Sequence, residues 1–331
     1  MYIRVPAPRM YLYDHPPSVS PWAVRTALGE FLGSVKRRRI DDSTQGPYRW
    51  ICALDAQFPA RDKTRSSIQG TGVLISPRHV LTSARNVVRT EPPFKASHPK
   101  TGFRVDAQKV TVTPALDSTP KLGKKGAPVG SIELQPPAWW IPSQFFTDLS
   151  FKWDVAVLTL PRELPAFRGA PYGHWGHTGS SPRTTIQAAT NESLVGTTLT
   201  TCGHTDGVCF DEVPLPNASN PFPKPTEPTR IAKRGNSTQW ETFGRVQPSQ
   251  RGLVEWGQLL YDTAACYGMD GAPVWLNTGS LQLVAIHVGA NFRNITNSDI
   301  SPQLGVALAL RSEILDLLRQ RVSLAGIRPA F

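Results

Sequence analysis

The chain lacks several features that would assign it to a common class directly. Its 331 residues include only four cysteines, with no Cys-x-x-Cys pair of the kind that binds zinc. No segment approaches the roughly 18–20 apolar residues of a membrane-spanning helix. Residues 1–17 contain no apolar core typical of a signal peptide. We therefore expect no cofactor, no metal and no membrane partner, in a protein that is cytoplasmic or exported by a signal-independent route.

Acidic residues are also scarce relative to basic ones. The chain has 36 Lys and Arg against 25 Asp and Glu, for a formal net charge of +11. The basic residues cluster at 36–39, 121–125 and 230–234. Such clusters are either solvated loops or the footprint of an anionic partner. None contains an aromatic side chain for stacking on bases, so nucleic acid is not expected, and binding of another anionic polymer through 91–125 and 224–234 stays an alternative function.

The residues that are abundant predict a β-rich fold with a substantial core. Hydrophobic residues make up 40% of the chain, and nine Trp and thirteen Phe require burial. Thirty-one prolines and 26 glycines separate short apolar segments such as 71–75, 154–160 and 281–288. Short strands broken by Gly and Pro are typical of an all-β barrel or sandwich. One amphipathic helix is predicted to begin at Ser312.

Three separated segments carry a family resemblance. They are 70–88 (GTGVLISPRHVLTSARNVV), 153–160 (WDVAVLTL) and 261–275 (YDTAACYGMDGAPVW), the last followed by VAIHVG at 284–289. In this order they resemble the trypsin-like serine peptidases, and most closely the glutamyl-endopeptidase (V8-like) and bacterial trypsin-like branch. The resemblance implies an all-β fold of two packed six-stranded antiparallel β-barrels, chymotrypsin-like, with a C-terminal helix.

The resemblance extends over about residues 38–322 and suggests a domain division. We expect an N-terminal arm at 1–44, a peptidase domain at 45–322 and a tail at 323–331. Insertions are expected near 91–147 and 211–236, the second of which is dense in proline.

The family uses a Ser nucleophile, a His base and an Asp that orients the His, and two of these positions are changed here. The motifs align Arg85 with the His, Asp154 with the Asp and Asp270 with the Ser. An arginine has five donors and no acceptor, so it cannot take a proton from a nucleophile. The sequence therefore predicts a loss of serine-peptidase activity, with Arg85 lying between Asp154 and Asp270 in an acid–base–acid cluster.

Other positions are implied by the resemblance alone. Gly268 is expected to contribute to the oxyanion hole, His287 to line the primary substrate pocket and Thr263 to lie on its facing wall. Cys209 and Cys266 either form a disulfide across this pocket or remain thiols. Three functions stay open: an inactive pseudopeptidase that binds a protein or peptide, an active-site-substituted form of a genuine endopeptidase, and the anionic-polymer binder.

Overall fold

The computed structural model describes eleven parts of the chain, and the fold is built from these. They are residues 37–59, 67–91, 103–117, 126–147, 151–177, 182–205, 239–247, 257–261, 263, 268–291 and 304–324. The strands are β1 (Arg37–Arg39), β2 (Ile51–Gln57), β3 (Ser67–Ser76), β4 (His79–Thr82), β5 (Val88–Glu91), β6 (Phe103–Asp106), β7 (Lys109–Pro114), β8 (Ile132–Leu134), β9 (Trp139–Trp140), β10 (Ala156–Thr159), β11 (Thr184–Ile186), β12 (Thr198–His204), β13 (Gln239–Arg245), β14 (Gln258–Tyr261), β15 (Pro273–Asn277), β16 (Leu281–Asn291) and β17 (Leu304–Ala309).

Helical structure is short except at the end of the described chain. The α-helices are α1 (Gln144–Thr147), α2 (Asn191–Leu194) and α3 (Ser312–Leu324), and 3₁₀ turns span Tyr48–Trp50, Ala84–Asn86 and Phe151–Trp153. Helix α3 is the predicted C-terminal helix. It buries Ile314, Leu318 and Val322, which recur at intervals of four on one face.

Two antiparallel sheets form the body of the fold. The N-terminal sheet has the order β8-β7-β2-β3-β4-β10-β9, and the C-terminal sheet has the order β1-β13-β12-β15-β16-β17-β14, with β11 parallel to β16. Strands β5 and β6 pair separately. Without β1, β9 and β11, each large sheet has the six strands expected of one barrel. The all-β class with a C-terminal helix is therefore confirmed.

The two sheets contact each other through β12, which lies against β2 and β3. Strand β3 is almost wholly buried from Gly70 to Ser76, and its partner β4 is buried throughout. Apolar side chains from both sheets and from α3 form one large core, in which Trp50, Trp175 and Trp275 take part. The ends of the buried strands thus meet at the boundary between the sheets, where the candidate site lies.

Strand β1 belongs to the predicted arm, yet it pairs with β13 at the edge of the C-terminal sheet. Arg38 Nη2 donates to Glu241 Oε2 at 2.7 Å and to the Tyr48 hydroxyl at 2.9 Å, and that hydroxyl donates to Glu241 Oε1 at 2.7 Å. Glu241 is buried, so it depends on these two partners. Arg38, a member of one basic cluster, therefore forms an ion pair within the fold.

Several expectations fall on residues outside the described parts. They are the insertion at 211–236, the basic clusters at 121–125 and 230–234, and the pair Cys209 and Cys266. The segment 91–147 is partly described, and it supplies β6 to β9 and α1. The remaining cysteines, Cys52 and Cys202, are buried thiols.

Candidate functional site

Antiparallel pairing of β4 with β10 brings Arg85 and Asp154 together. Thr82, at the end of β4, is the register partner of Ala156, at the start of β10. Arg85 lies in the 3₁₀ turn that follows β4, and Asp154 lies two residues before β10. The two positions that the sequence motifs identify therefore meet at the same end of the N-terminal sheet.

Asp154 is a fully buried carboxylate that receives three hydrogen bonds. Ser83 Oγ donates to Oδ1 at 2.8 Å, and the Arg85 backbone N–H donates to the same oxygen at 3.2 Å. Arg85 Nε donates to Oδ2 at 2.6 Å and completes an ion pair. A buried carboxylate is stable only with such partners. Arg85 therefore compensates the negative charge of Asp154 in place of water.

Arg85 also reaches the C-terminal sheet. Its Nη2 donates to the backbone carbonyl of Val288, which lies in β16 at an irregularity between His287 and Gly289. The guanidinium, whose side chain is 26% exposed, thus links Asp154 in one sheet to a strand of the other. All of its groups are donors, so nothing at this position accepts a proton.

Asp270 lies in the turn 268–271 that precedes β15, and the residue as a whole is half-buried. Burial raises the pKa of Asp270, and the negative charge of Asp154 raises it further, whereas Arg85 lowers it. The Arg85–Asp154 ion pair of the expected cluster is present. Arg85 also acts electrostatically on Asp270, and a direct contact between these two side chains stays a prediction.

The backbone of the turn 268–271 is held by hydrogen bonds from both sheets. The Thr71 N–H donates to the Asp270 carbonyl at 2.8 Å, and Thr71 Oγ1 donates to the Gly268 carbonyl at 2.7 Å. The Gly271 N–H donates to the His287 carbonyl at 2.7 Å. In the described part of the chain, no acceptor takes the N–H groups of Gly268 or Asp270, the two donors that an oxyanion site at this turn would use.

His287 touches the turn through its backbone, while its ring is enclosed. The ring is buried, and Nδ1 shares a 2.8 Å hydrogen bond with the Tyr261 hydroxyl. Burial, with a smaller contribution from Arg85, lowers the pKa of His287 to about 3. The imidazole is therefore neutral at physiological pH, so it would recognise a ligand by hydrogen bonding rather than by charge.

Thr263 lies two residues beyond the end of β14, and its hydroxyl group is hydrogen-bonded to a residue other than His287. It is buried, and its hydroxyl donates to Thr242 Oγ1 at 3.3 Å. Among the contacts of the described residues, none joins Thr263 to His287. The two expected pocket walls are thus a neutral His and a Thr held by β13.

Sequence reasoning missed four residues that support the site. Ser83 binds Asp154, and Thr71, Thr82 and Asn86 surround the Asp270 backbone. All four lie within the first motif, 70–88, but nothing in their spacing indicates partners 71 to 197 residues later in the chain.

A substitution at Asp270 tests whether ionisation of its carboxyl group destabilises the folded protein. Because the folded pKa is raised, the parent loses stability as the pH rises from below the usual value of 3.8 through the folded value. We expect Asp270→Asn to be more stable than the parent at pH 7, with the difference shrinking towards pH 4, as measured by urea unfolding. The matched variant Asp154→Asn, which breaks the ion pair with Arg85, is expected to be less stable than the parent at pH 7. Equal stability of Asp270→Asn and the parent at both pH values would show that Asp270 is fully solvated.

Comparison with known proteins yields similarity of structure only. No family model matches the chain, and no curated protein matches it. A Glu endopeptidase solved in complex with MPD superposes with a TM-score of 0.56 at 18% identity, covering 88% of this chain and 98% of that one. The protease Anisep from Arthrobacter nicotinovorans gives 0.51 at 12% identity, over 87% and 100% of the two chains. HL collagenase gives 0.50 at 14% identity, over 87% and 97%.

These similarities define the class of fold. The chain has the chymotrypsin-like fold of serine proteases, as its motifs predicted. Structural similarity at identities of 12–18% establishes the fold alone. The branch of the family and the activity must be argued from the chemistry of the site. In the described residues, no helix is long and apolar enough to cross a membrane.

Proposed function

We propose that this chain is a serine-peptidase-fold protein that does not hydrolyse peptide bonds and that acts by binding a protein or peptide. The observation that carries the proposal is the state of Arg85. Its guanidinium donates to Asp154 and to the Val288 carbonyl, at the position where the resemblance puts the general base. A guanidinium with a pKa above about 12 has no lone pair to accept a proton at neutral pH.

The second requirement, a nucleophile, fails independently. Position 270 has a carboxyl group and no hydroxyl. When ionised, Asp270 places a negative charge beside the turn where an oxyanion would form, and electrostatic stabilisation of that oxyanion is usually the largest catalytic contribution. Loss of a complete triad elsewhere reduces turnover by about 10⁶-fold, so only the residual contribution of binding and of the oxyanion site is expected.

The parts of the site other than the catalytic positions support a binding function. The turn 268–271 keeps its hydrogen bonds to both sheets, and His287 keeps a defined ring orientation through Tyr261. A rigid turn and an oriented neutral imidazole are features of a recognition site, because they need no ordering on binding. The proposed ligand is therefore an extended peptide or an exposed protein segment that remains intact.

Incubation of the purified chain with a fluorophosphonate probe tests the catalytic half of the proposal. We expect no labelling and no cleavage of a mixed peptide library by mass spectrometry. Asp270→Ala is the matched control, because cleavage by a contaminating peptidase would be the same in both preparations. Stoichiometric labelling, or turnover at the roughly 1–10³ s⁻¹ typical of enzymes, would overturn the proposal.

A synthetic peptide array tests the binding half with the same protein. We expect retention of a subset of extended peptides, each recovered uncut. Retention of no peptide at all would remove the binding function and leave only the loss of hydrolysis.

A further inference from the structure

The side chain of Asn86 joins the two sheets at the turn 268–271, and the proposed function makes no use of it. Asn86 directly follows Arg85, and it is 2% exposed. Its Nδ2 donates to the Asp270 carbonyl at 2.7 Å and to Thr82 Oγ1 at 2.9 Å. The Thr71 carbonyl is a third, longer contact of the same nitrogen at 3.4 Å. A primary amide nitrogen has two N–H groups, and the two shorter bonds use both of them.

The neighbours of Asn86 determine which way its amide points. Thr82 Oγ1 donates to the Thr71 carbonyl at 2.6 Å, so towards Asn86 this hydroxyl acts as an acceptor. The Asp270 carbonyl is also an acceptor, and it already receives the Thr71 N–H at 2.8 Å. With the Thr71 carbonyl, three acceptors face the same end of the amide, and therefore only Nδ2 fits there.

Close packing holds the amide in this orientation. A Cβ built on Gly70 would lie 2.4 Å from Asn86 Oδ1, and a Cβ on Gly271 would lie 2.9 Å from Nδ2. Glycine backbone thus flanks the amide on both sides, and any larger residue at 70 would displace it. One 3₁₀ turn, Ala84–Asn86, consequently holds the Asp154 carboxylate through Arg85 and the Asp270 backbone through Asn86.

We propose that Asn86 is the positioning residue of this site, whose amide fixes the Asp270–Gly271 peptide and thereby the direction of the Asp270 side chain. The two donors from the N-terminal sheet, Thr71 N–H and Asn86 Nδ2, hold the Asp270 carbonyl. With the carbonyl held, the Gly271 N–H is directed at the His287 carbonyl at 2.7 Å. Loss of the Asn86 donor leaves one bond to the carbonyl and allows this peptide to rotate. The assignment holds whether or not the chain hydrolyses peptides.

Amide hydrogen exchange of the full chain, followed by NMR, tests the assignment. Asn86→Asp preserves the shape of the side chain but turns an oxygen towards the Asp270 carbonyl. We expect exchange of the Thr71 and Gly271 amides to accelerate at least about tenfold relative to the Val157 amide in β10, which reports global unfolding. Uniform acceleration of all three amides, or unchanged exchange at Gly271, would overturn the proposal.

Two further variants separate positioning from a general loss of stability. Ser43→Ala removes a buried hydrogen bond of 2.7 Å to the Ala115 carbonyl, far from the turn, and it should leave the ratio of Gly271 to Val157 exchange at the parent value. Thr82→Val removes the second acceptor of Asn86 while the Asp270 bond remains, so an intermediate ratio is expected. A parent-like ratio in Thr82→Val and Asn86→Asp together would refute the assignment, even if one of these variants were poorly folded. No step of this experiment involves turnover or a partner, so it can fail while the proposed function stands.

Discussion

A chain that carries both Arg85→His and Asp270→Ser is expected to react with a fluorophosphonate probe and to cleave peptides at least about 10³-fold faster than the parent. Asp154 is already buried and is held by Ser83 and by the backbone of residue 85. A His at 85 would find an oriented carboxylate, and a Ser at 270 would lie in a turn whose backbone is fixed. Since complete triads elsewhere contribute about 10⁶-fold, a recovery of 10³ allows for imperfect geometry.

The single variants are the controls for this reversion. Arg85→His alone provides a base without a nucleophile, and Asp270→Ser alone provides a nucleophile beside a guanidinium that cannot deprotonate it. Neither single variant should be labelled by the probe or cleave peptides, because members of a triad act as a unit and their effects do not add. An unlabelled double variant with a parent-like circular dichroism spectrum would mean that more than two side chains separate this site from an active one.

Much of the site was readable from the sequence because it depends on strand order. Arg85 follows β4 and Asp154 precedes β10, so pairing of the two strands suffices to bring the side chains together. Asp270 could be placed by its Gly-x-Asp-Gly context in the same way. The helical spacing of apolar residues predicted α3, and short apolar segments broken by Gly and Pro predicted the all-β class.

The contact of Arg85 with Val288 could not be derived in this way. The guanidinium donates to the Val288 carbonyl as well as to Asp154, and that carbonyl lies where β16 departs from regular pairing between His287 and Gly289. An irregularity of this kind arises from packing between strands, and it produces no recognisable pattern of apolar and polar residues in the sequence. The sequence therefore predicted the Arg85–Asp154 ion pair but not the contact with Val288, and the Arg85–Asp270 contact stays a prediction.

Long-range polar contacts escaped prediction for a related reason. Arg38 and Glu241 are 203 residues apart, and Asn86 and Asp270 are 184 residues apart. The first pair is defined only once β1 pairs with β13, and the second only once the two sheets pack together. Arg38 consequently looked like part of a solvated basic cluster, although it compensates a buried carboxylate.

The largest loss of stability is expected from Gly271→Ala, because Gly271 is where the turn of one sheet approaches the backbone of the other most closely. Gly271 has φ +85°, a conformation that costs an L-residue about 1–2 kcal/mol. A Cβ there would also lie 2.1 Å from the Thr71 carbonyl oxygen and 2.2 Å from Thr82 Oγ1. Overpacking of this kind typically costs a further 1–3 kcal/mol or more. We therefore expect the free energy of unfolding in urea to fall by about 4 kcal/mol.

Gly279→Ala isolates the backbone contribution from the steric one. Gly279 has φ +82°, nearly the same conformation, but a Cβ built on it meets nothing within 4 Å. This variant should lose only about 1–2 kcal/mol, the conformational cost alone. The difference between the two variants measures how tightly the turn 268–271 is pressed against Thr71. Equal losses would mean that the turn can move away from β3, and then neither the fixed Asp270 backbone nor a recoverable oxyanion site could be sustained.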